Sequence, residues 1–293
     1  GGTVSLLPSR HFSADELAAT IENDKVNVAV IVGDPFGRPL LRVLDSDPTR
    51  YDLSSLFAMM SSGAMWSEEI KQGLLALHPT MVLIDAFSSS EALGMGSSVS
   101  TAKDTKATAA FSLGPTVIVL TEDGRKVEPG SDEIGVIGVG GRNPLGYYKD
   151  EAKSAATFKT IDGMRYSIPG DFARVREDGS IQLLGRGSQC INTAGEKVFP
   201  EEVEEALKTH PLVADACVVG IPDEQYGERV VAAVELHEQG TCSEPELIAF
   251  VKTKLAHYKA PRQLRLVDTI GRSPSGKMDY GRHKREAAQV FSN

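Results

Sequence analysis

The 293-residue chain is long enough for one large domain or two ordinary ones. Its 41% hydrophobic and 24% charged residues are those of a folded globular protein, which argues against disorder or a fibrous repeat. A net charge of −9 argues against a broad nucleic-acid footprint, because neutralising phosphates requires a basic face.

The first third alternates helix and strand. Ser13 with Glu16 three residues later predicts a capping box, and Leu17 and Ile21 mark one face of the helix that follows. Residues 26–32 are a continuous apolar run, expected as a strand buried on both faces of an α/β sheet. Residues 56–60 and 81–84 predict two more strands, with a helix at 67–77 that Ser67 caps and that turns Ile70, Leu74 and Leu77 inward.

From Gly114 the pattern becomes β, with strands at 116–120 and 135–139 and a turn at Glu122-Asp123-Gly124. A hairpin pairs 172–176 with 181–184, and Gly185-Arg186-Gly187-Ser188 ends it as a candidate hinge. Beyond it the expected order is helix, strand, strand, helix, strand, helix. Pro200 opens the helix 201–208, and strands follow at 213–221 and 230–236. Ser243 and Glu246 form a capping box for a helix carrying Leu247, Val251 and Leu255, then come a strand at 264–270 and a basic last helix.

Cys190, Cys217 and Cys242 are odd in number and far apart, which fits neither a disulfide framework nor a zinc site. The six histidines show no metal spacing. No apolar run approaches the roughly 20 residues of a membrane span, and the first residues lack the regions of a signal peptide. The expectation is a cytoplasmic location with room for a peripheral membrane contact, and the oligomeric state is open.

Four short segments carry candidate chemistry. Asp85-Ala86-Phe87-Ser88-Ser89-Ser90-Glu91 follows an apolar strand, where Glu91 could hold Mg²⁺, Ser90 could bond phosphate and Phe87 could stack on a base. Gly170-Asp171 and Arg186 bracket the 172–184 hairpin and could hold ribose hydroxyls. The third segment runs from Gln189 through Gly195 to Glu204. In the fourth, the spacing of Gly271, Gly276 and Lys277 approaches a phosphate-binding P-loop, but Met278 stands where a Ser or Thr hydroxyl is required. Each segment has a bland alternative as an ordinary loop or turn.

Their order is more informative. Phe87-Ser88-x-Ser90-Glu91, Gly146-Tyr147-Tyr148-Lys149-Asp150 with Thr157 and Phe158, Gly170-Asp171, Gly185-Arg186, Gly195 to Pro200-x-Glu-Val-Glu204, and Pro274-x-Gly276-Lys277 occur in one sequence. This series resembles the adenylate-forming superfamily, in its acyl-CoA synthetase branch, from first residue to last. The resemblance implies an α/β subdomain of a large N-terminal domain over 1–113 and a small antiparallel β-barrel over 114–187. A mobile C-terminal α+β domain over 188–293 completes the implied fold.

The resemblance also implies a two-step reaction, in which a carboxylate attacks the α-phosphate of ATP to form an acyl-adenylate and coenzyme A then displaces AMP. On that reading Ser90 contacts phosphate, Glu91 binds Mg²⁺, and Phe87 packs on adenine, with Ser88, Gly63 and Ala64 also among the cofactor-binding positions. Asp171 and Arg186 hold the ribose, Lys277 bridges the carboxylate and the α-phosphate, and Gly195 faces the pantetheine channel. An acyl pocket is implied at 61–65 and 94–96, where small residues suit either a bulky ligand or tight strand packing.

Three departures from the family pattern stand out. Phe87 and Ser88 replace the usual Tyr-Gly, Ser188 and Gln189 alter the hinge, and the Ser/Thr/Gly-rich phosphate loop is absent from the chain. The chain is therefore expected to be the C-terminal part of a longer ligase for a fatty or bulky hydrophobic acid, inactive alone. The alternatives are a non-catalytic nucleotide-binding fragment, an adenylation domain loading a carrier-protein thiol, or a P-loop NTPase.

Overall fold

The computed structural model describes residues 1–237 and 241–291. They form two compact units. The first comprises Gly1–Pro169, Ala173–Leu183 and Pro274–Lys277, and the second comprises Gly170–Phe172, Leu184–Ser273 and Met278–Asn293, of which 292–293 lie outside the described residues.

The chain opens with α1 (Ala14–Asp24), β1 (Val28–Ile31), α2 (Gly33–Ser46), β2 (Ala58–Ser61), α3 (Glu68–Leu77), β3 (Val82–Ser89) and β4 (Ala92–Ser100). Strands β5 (Ala110–Leu113), β6 (Val117–Leu120) and β7 (Gly135–Gly140) follow. Then come α4 (Glu151–Thr157), β8 (Phe158–Ile161), β9 (Met164–Ser167), β10 (Asp171–Val175) and β11 (Ile181–Arg186). The sheet order is β1-β2-β3-β4-β5-β11-β10-β7-β9-β8, with β6 on β7. Strands β1, β2 and β3 run parallel, whereas β3–β4, β4–β5, β5–β11, β6–β7, β7–β9 and β8–β9 pair antiparallel.

Helices α1, α2 and α3 cover one face of the parallel strands. Ala29, Ile31, Met59 and Leu83 pack there with Ile21, Leu40, Trp66, Ile70 and Leu74, and each large side chain so buried contributes about 1.5–3 kcal/mol. The expectation that β1 is buried on both faces is corrected. Val28 and Val30 are 39% and 75% exposed. Val30 pairs with Met60, Met60 with Ile84 and Ile84 with Val99, so an apolar row crosses the uncovered face. An apolar run in sequence reports a face able to be buried, not one that is covered.

Other expectations shift locally. Ser13 Oγ accepts from the Glu16 amide, but the Glu16 carboxylate takes the Ser9 hydroxyl, so only half of the capping box forms. Ser67 caps α3 as expected, accepting from the Ile70 amide. Helix α2 is not among the expected elements; it contains Pro35, Gly37 and Pro39, and its buried Leu40 and Leu44, four residues apart, hold it against the sheet. Strand β3 continues to Ser89, which places Phe87 and Ser88 on a strand rather than in a loop.

In the second unit the short strands β12 (Ile191–Thr193) and β13 (Glu196–Val198) precede α5 (Pro200–Lys208), β14 (Val213–Asp223) and β15 (Gly227–Leu236). Helix α6 (Glu244–Lys254), strand β16 (Gln263–Val267) and α7 (Tyr280–Val290) complete it. The sheet order is β13-β12-β15-β14, with β16 parallel to β15. Here the apolar runs are buried on both faces. Ala216, Val218, Val230, Ala232 and Val234 pack with Val203, Leu207, Leu247 and Val251, whereas Cys217, Val219, Ile221, Val231 and Ala233 pack with Ala287 and Phe291. The period-2 alternation of the strand supplies both cores. The Ser243–Glu246 capping box forms with both arms. Among the described residues no helix is long and apolar enough to cross a membrane.

Candidate functional site

In the first unit, β3 and β4 form a hairpin whose turn is Ser90-Glu91. Phe87 rests against Phe111 at 5.7 Å between ring centroids, and Ser88 Oγ accepts from the Gly94 amide at 3.0 Å. Ser90 is exposed, while Glu91 is half-buried and accepts a hydrogen bond of 2.6 Å from the Tyr147 hydroxyl. Ser89 Oγ is buried without a hydrogen-bond partner, an unsatisfied group next to the turn.

Residues 274–277 belong to the same unit. The methylene Cε of Lys277 lies 3.9 Å from the point where a Cβ on Gly63 would stand, and Gly276 packs on Val32, Pro35 and Phe36. Lys277 and Gly63 are thus brought together, with Ala64 adjacent in sequence. The expected acyl-pocket residues divide differently. Ser61 is buried and its Oγ accepts from the Gly33 amide, Met95 lies in the core, and a Cβ on Gly96 would stand 3.0 Å from Phe111 Cβ. For Gly96, tight strand packing accounts for the small residue.

In the second unit, Asp171 opens β10 and Arg186 closes β11. The antiparallel hairpin therefore brings its two sequence ends to one end in space, and Arg186 Nε donates to Asp171 Oδ1 at 3.3 Å. The Asp171 side chain is 5% exposed and that of Arg186 is 58% exposed, so a shielded carboxylate is paired with an accessible guanidinium. The amide of Gly187 donates to the Gly170 carbonyl at 2.9 Å and locks the same end. Gly195 sits at the exposed tip of the β12–β13 hairpin. Ala194 and Gly195 have φ of 53° and 85°, the pair of positive values that a tight two-residue hairpin turn demands.

Three of the four acidic residues of helix α5 stand in different environments. Glu202 is neutralised by Lys259 at 2.6 Å. Burial pushes the Glu201 carboxyl up to about 7 and the Glu204 carboxyl up to about 8. Glu204 accepts from the Val218 amide at 2.9 Å and from the Tyr280 hydroxyl at 3.1 Å. Among the described residues no group of three or more His, Cys, Asp or Glu side chains could hold a metal ion by itself. Mg²⁺ carried on substrate phosphates needs only one or two protein carboxylates, and Glu91 at an accessible turn fits that smaller demand.

Residues 202–277 match the family model of the AMP-binding enzyme C-terminal domain. Over its whole length the chain is 47% identical to 3-oxocholest-4-en-26-oate–CoA ligase from Rhodococcus rhodochrous, of which it covers 54%. Over 96% of its length it is 49% identical to medium/long-chain-fatty-acid–CoA/3-oxocholest-4-en-26-oate–CoA ligase from Mycobacterium tuberculosis, of which it covers 51%. Across almost its full length the chain is thus similar to CoA ligases. It spans about half the length of the curated relatives it matches. The fold is that of the solved anthranilate CoA ligase in complex with anthranoyl-AMP, with a TM-score of 0.78 at 22% identity over 96% of this chain and 53% of that one.

The sequence motifs include Tyr147 but give it no role. The structure holds it from three sides. Its amide donates to Ser154 Oγ at 2.8 Å, Lys153 Nζ stands 4.0 Å from its ring centroid, and Phe158 packs at 5.8 Å. Its hydroxyl reaches Glu91, 56 residues earlier. A hydrogen bond to a charged acceptor contributes about 1.5–3 kcal/mol. Tyr147→Phe is accordingly expected to lower the unfolding free energy of the chain by about 1–2 kcal/mol. In a double-mutant cycle with Glu91→Gln, measured by urea denaturation, the two losses should not add; full additivity would dissolve the link.

Proposed function

We propose that this chain is part of an AMP-forming acid–thiol ligase that activates a fatty or bulky hydrophobic carboxylic acid with ATP and transfers the acyl group to coenzyme A. The observation that carries this reading is near-half identity across nearly the whole chain to ligases named for 3-oxocholest-4-en-26-oate and for medium- and long-chain fatty acids. The side chains supply a role for each stage. Asp171, with Arg186 beside it, accepts from ribose hydroxyls, and Phe87 presents an aromatic face for adenine.

Lys277 supplies a compact positive charge where the carboxylate and the α-phosphate, both anionic, must meet. Gly63 beside it leaves room for close approach. Mg²⁺, held by Glu91 with Ser90 nearby, supplies charge neutralisation to phosphate oxygens. Tyr147 orients the Glu91 carboxylate. The exposed Gly195 turn is assigned to the thiol step, and the second unit to a domain that moves between the two half-reactions.

The 293 residues contain no Ser/Thr/Gly-rich phosphate loop, which favours a second, narrower reading for the chain by itself: nucleoside binding without turnover. Both readings are tested by measuring ATP–pyrophosphate exchange and acyl thioester formation. The chain alone and a protein of the full length of its relatives are compared, with hydrophobic acids and with either coenzyme A or a carrier-protein thiol as acceptor. The expected result is exchange and acyl-CoA only at full length. Exchange by the chain alone at full-length rates would remove the narrower reading, and transfer only to the carrier thiol would remove coenzyme A.

A further inference from the structure

Glu201 is a buried carboxylate that the proposed chemistry leaves unused. It stands at the start of α5, directly against the turn that carries Arg186. A Cβ on Gly185 would lie 2.5 Å from Glu201 Cδ and 2.8 Å from its Oε1, and Gly185 has a φ of 139°, so only glycine fits both the space and the conformation. The backbone amides of Arg186 and of Glu201 itself favour the charged carboxylate. Its Oε2 is buried without a hydrogen-bond partner, and among the described residues Glu201 makes no ion pair, in contrast to Glu202 with Lys259.

We propose that Glu201 is a positioning residue whose ionised carboxylate holds the Gly185–Arg186 backbone, and so sets the Arg186 guanidinium on Asp171, in a way that proton uptake releases. The groups whose charges bear on it are Asp171 from β10, Arg186 from β11, Glu204 one turn along α5, Tyr280 from α7, and Cys190. Asp171 and Glu204 oppose its charge, and Arg186 favours it. Burial, with Asp171 adding to it, brings the carboxyl up to about 7, so the hold changes within the physiological range. The hold itself stands on the geometry of the second unit; its consequence for nucleoside affinity rests on the ribose role proposed above.

The test uses the whole chain and two readouts. In ¹H–¹⁵N NMR spectra recorded from pH 5.5 to 8.5, the Arg186 amide is expected to shift with an inflection near pH 7, and Glu201→Gln, which keeps the side-chain volume, is expected to abolish it. An Arg186 amide that does not titrate, or that titrates equally in the variant, overturns the proposal. Adenosine, which lacks a phosphate that would titrate in this range, is the probe for the second readout. Its affinity is expected to fall about tenfold from pH 8 to pH 6 in the parent chain and to stay flat in Glu201→Gln. A titrating Arg186 amide with no adenosine binding at any pH upholds the hold and removes the ribose assignment instead.

Discussion

Replacing Lys277 with alanine in a protein of the full length of the relatives is expected to slow acyl-adenylate formation by about 10²–10³-fold, the loss typical of one preorganised transition-state donor. Thioester formation from preformed acyl-adenylate should be nearly unchanged. The asymmetry follows from charge. In the first half-reaction two anions must approach, and a cation placed between them lowers that barrier; in the second, the adenylate ester is already made. The measurement is a pair of single-turnover rates, one from acid and ATP and one from synthetic acyl-adenylate and coenzyme A. Equal losses in both would contradict the role assigned to this lysine.

The same variant separates the ligase from the P-loop reading. A P-loop lysine sits at the mouth of a helix following a strand of a parallel nucleotide-binding sheet. Here α7 begins only at Tyr280, and its cap is Asp279, which accepts from the Arg282 amide at 2.9 Å. The strand before the loop, β16, pairs in parallel with β15, whose pairing with β14 is antiparallel. Triphosphate hydrolysis that needs no acid substrate and is lost in Lys277→Ala would restore that reading.

Local chemistry was legible wherever one residue type answers one local need. Ser13, Ser67 and Ser243 cap helices because their hydroxyls satisfy amides that the helix leaves over, and Pro200 opens α5 because it has no amide to satisfy. What depends on neighbours distant in sequence was not legible. Helix α2 forms through Pro35 and Pro39 because Leu40 and Leu44 are buried against the sheet, and β4 forms despite its two glycines and three serines because β3 and β5 flank it. The candidate site divides in the same way. The motif order named Glu91, Asp171 and Arg186, but the hydrogen bond from Tyr147 to Glu91 and the approach of Glu201 to Gly185 join residues with no common pattern in the sequence.

Glu204→Gln is expected to remove most of the loss of stability that the second unit suffers as pH rises. Glu204 is 5% exposed, and burial is the largest cause of its raised value, with the nearby Glu201 adding to it. The Val218 amide, Lys208 and Arg272 pull the other way without reversing it. The folded protein therefore keeps the proton up to about pH 8, whereas an unfolded chain releases it near the ordinary glutamate value. Between those limits unfolding releases a proton, so the stabilising contribution is complete below about pH 4.5 and is lost as pH rises towards 8.

Across the full interval the linkage amounts to about 5 kcal/mol at most, and Glu201 acts in the same direction up to about pH 7. Glutamine keeps an oxygen for the Val218 amide and offers an N–H to the Tyr280 hydroxyl oxygen, so both contacts survive without a charge. Because Trp66 lies in the first unit, unfolding of the second is followed by NMR signals of Val218 and Tyr280 in urea between pH 5 and 8.5. The parent midpoint should fall steadily over that range, while the variant midpoint falls less, levels off above about pH 7 where Glu201 has lost its proton, and exceeds the parent's at pH 8.5. Parallel curves would show that the Glu204 proton leaves the folded state as easily as the unfolded one, and burial would then not govern this carboxyl.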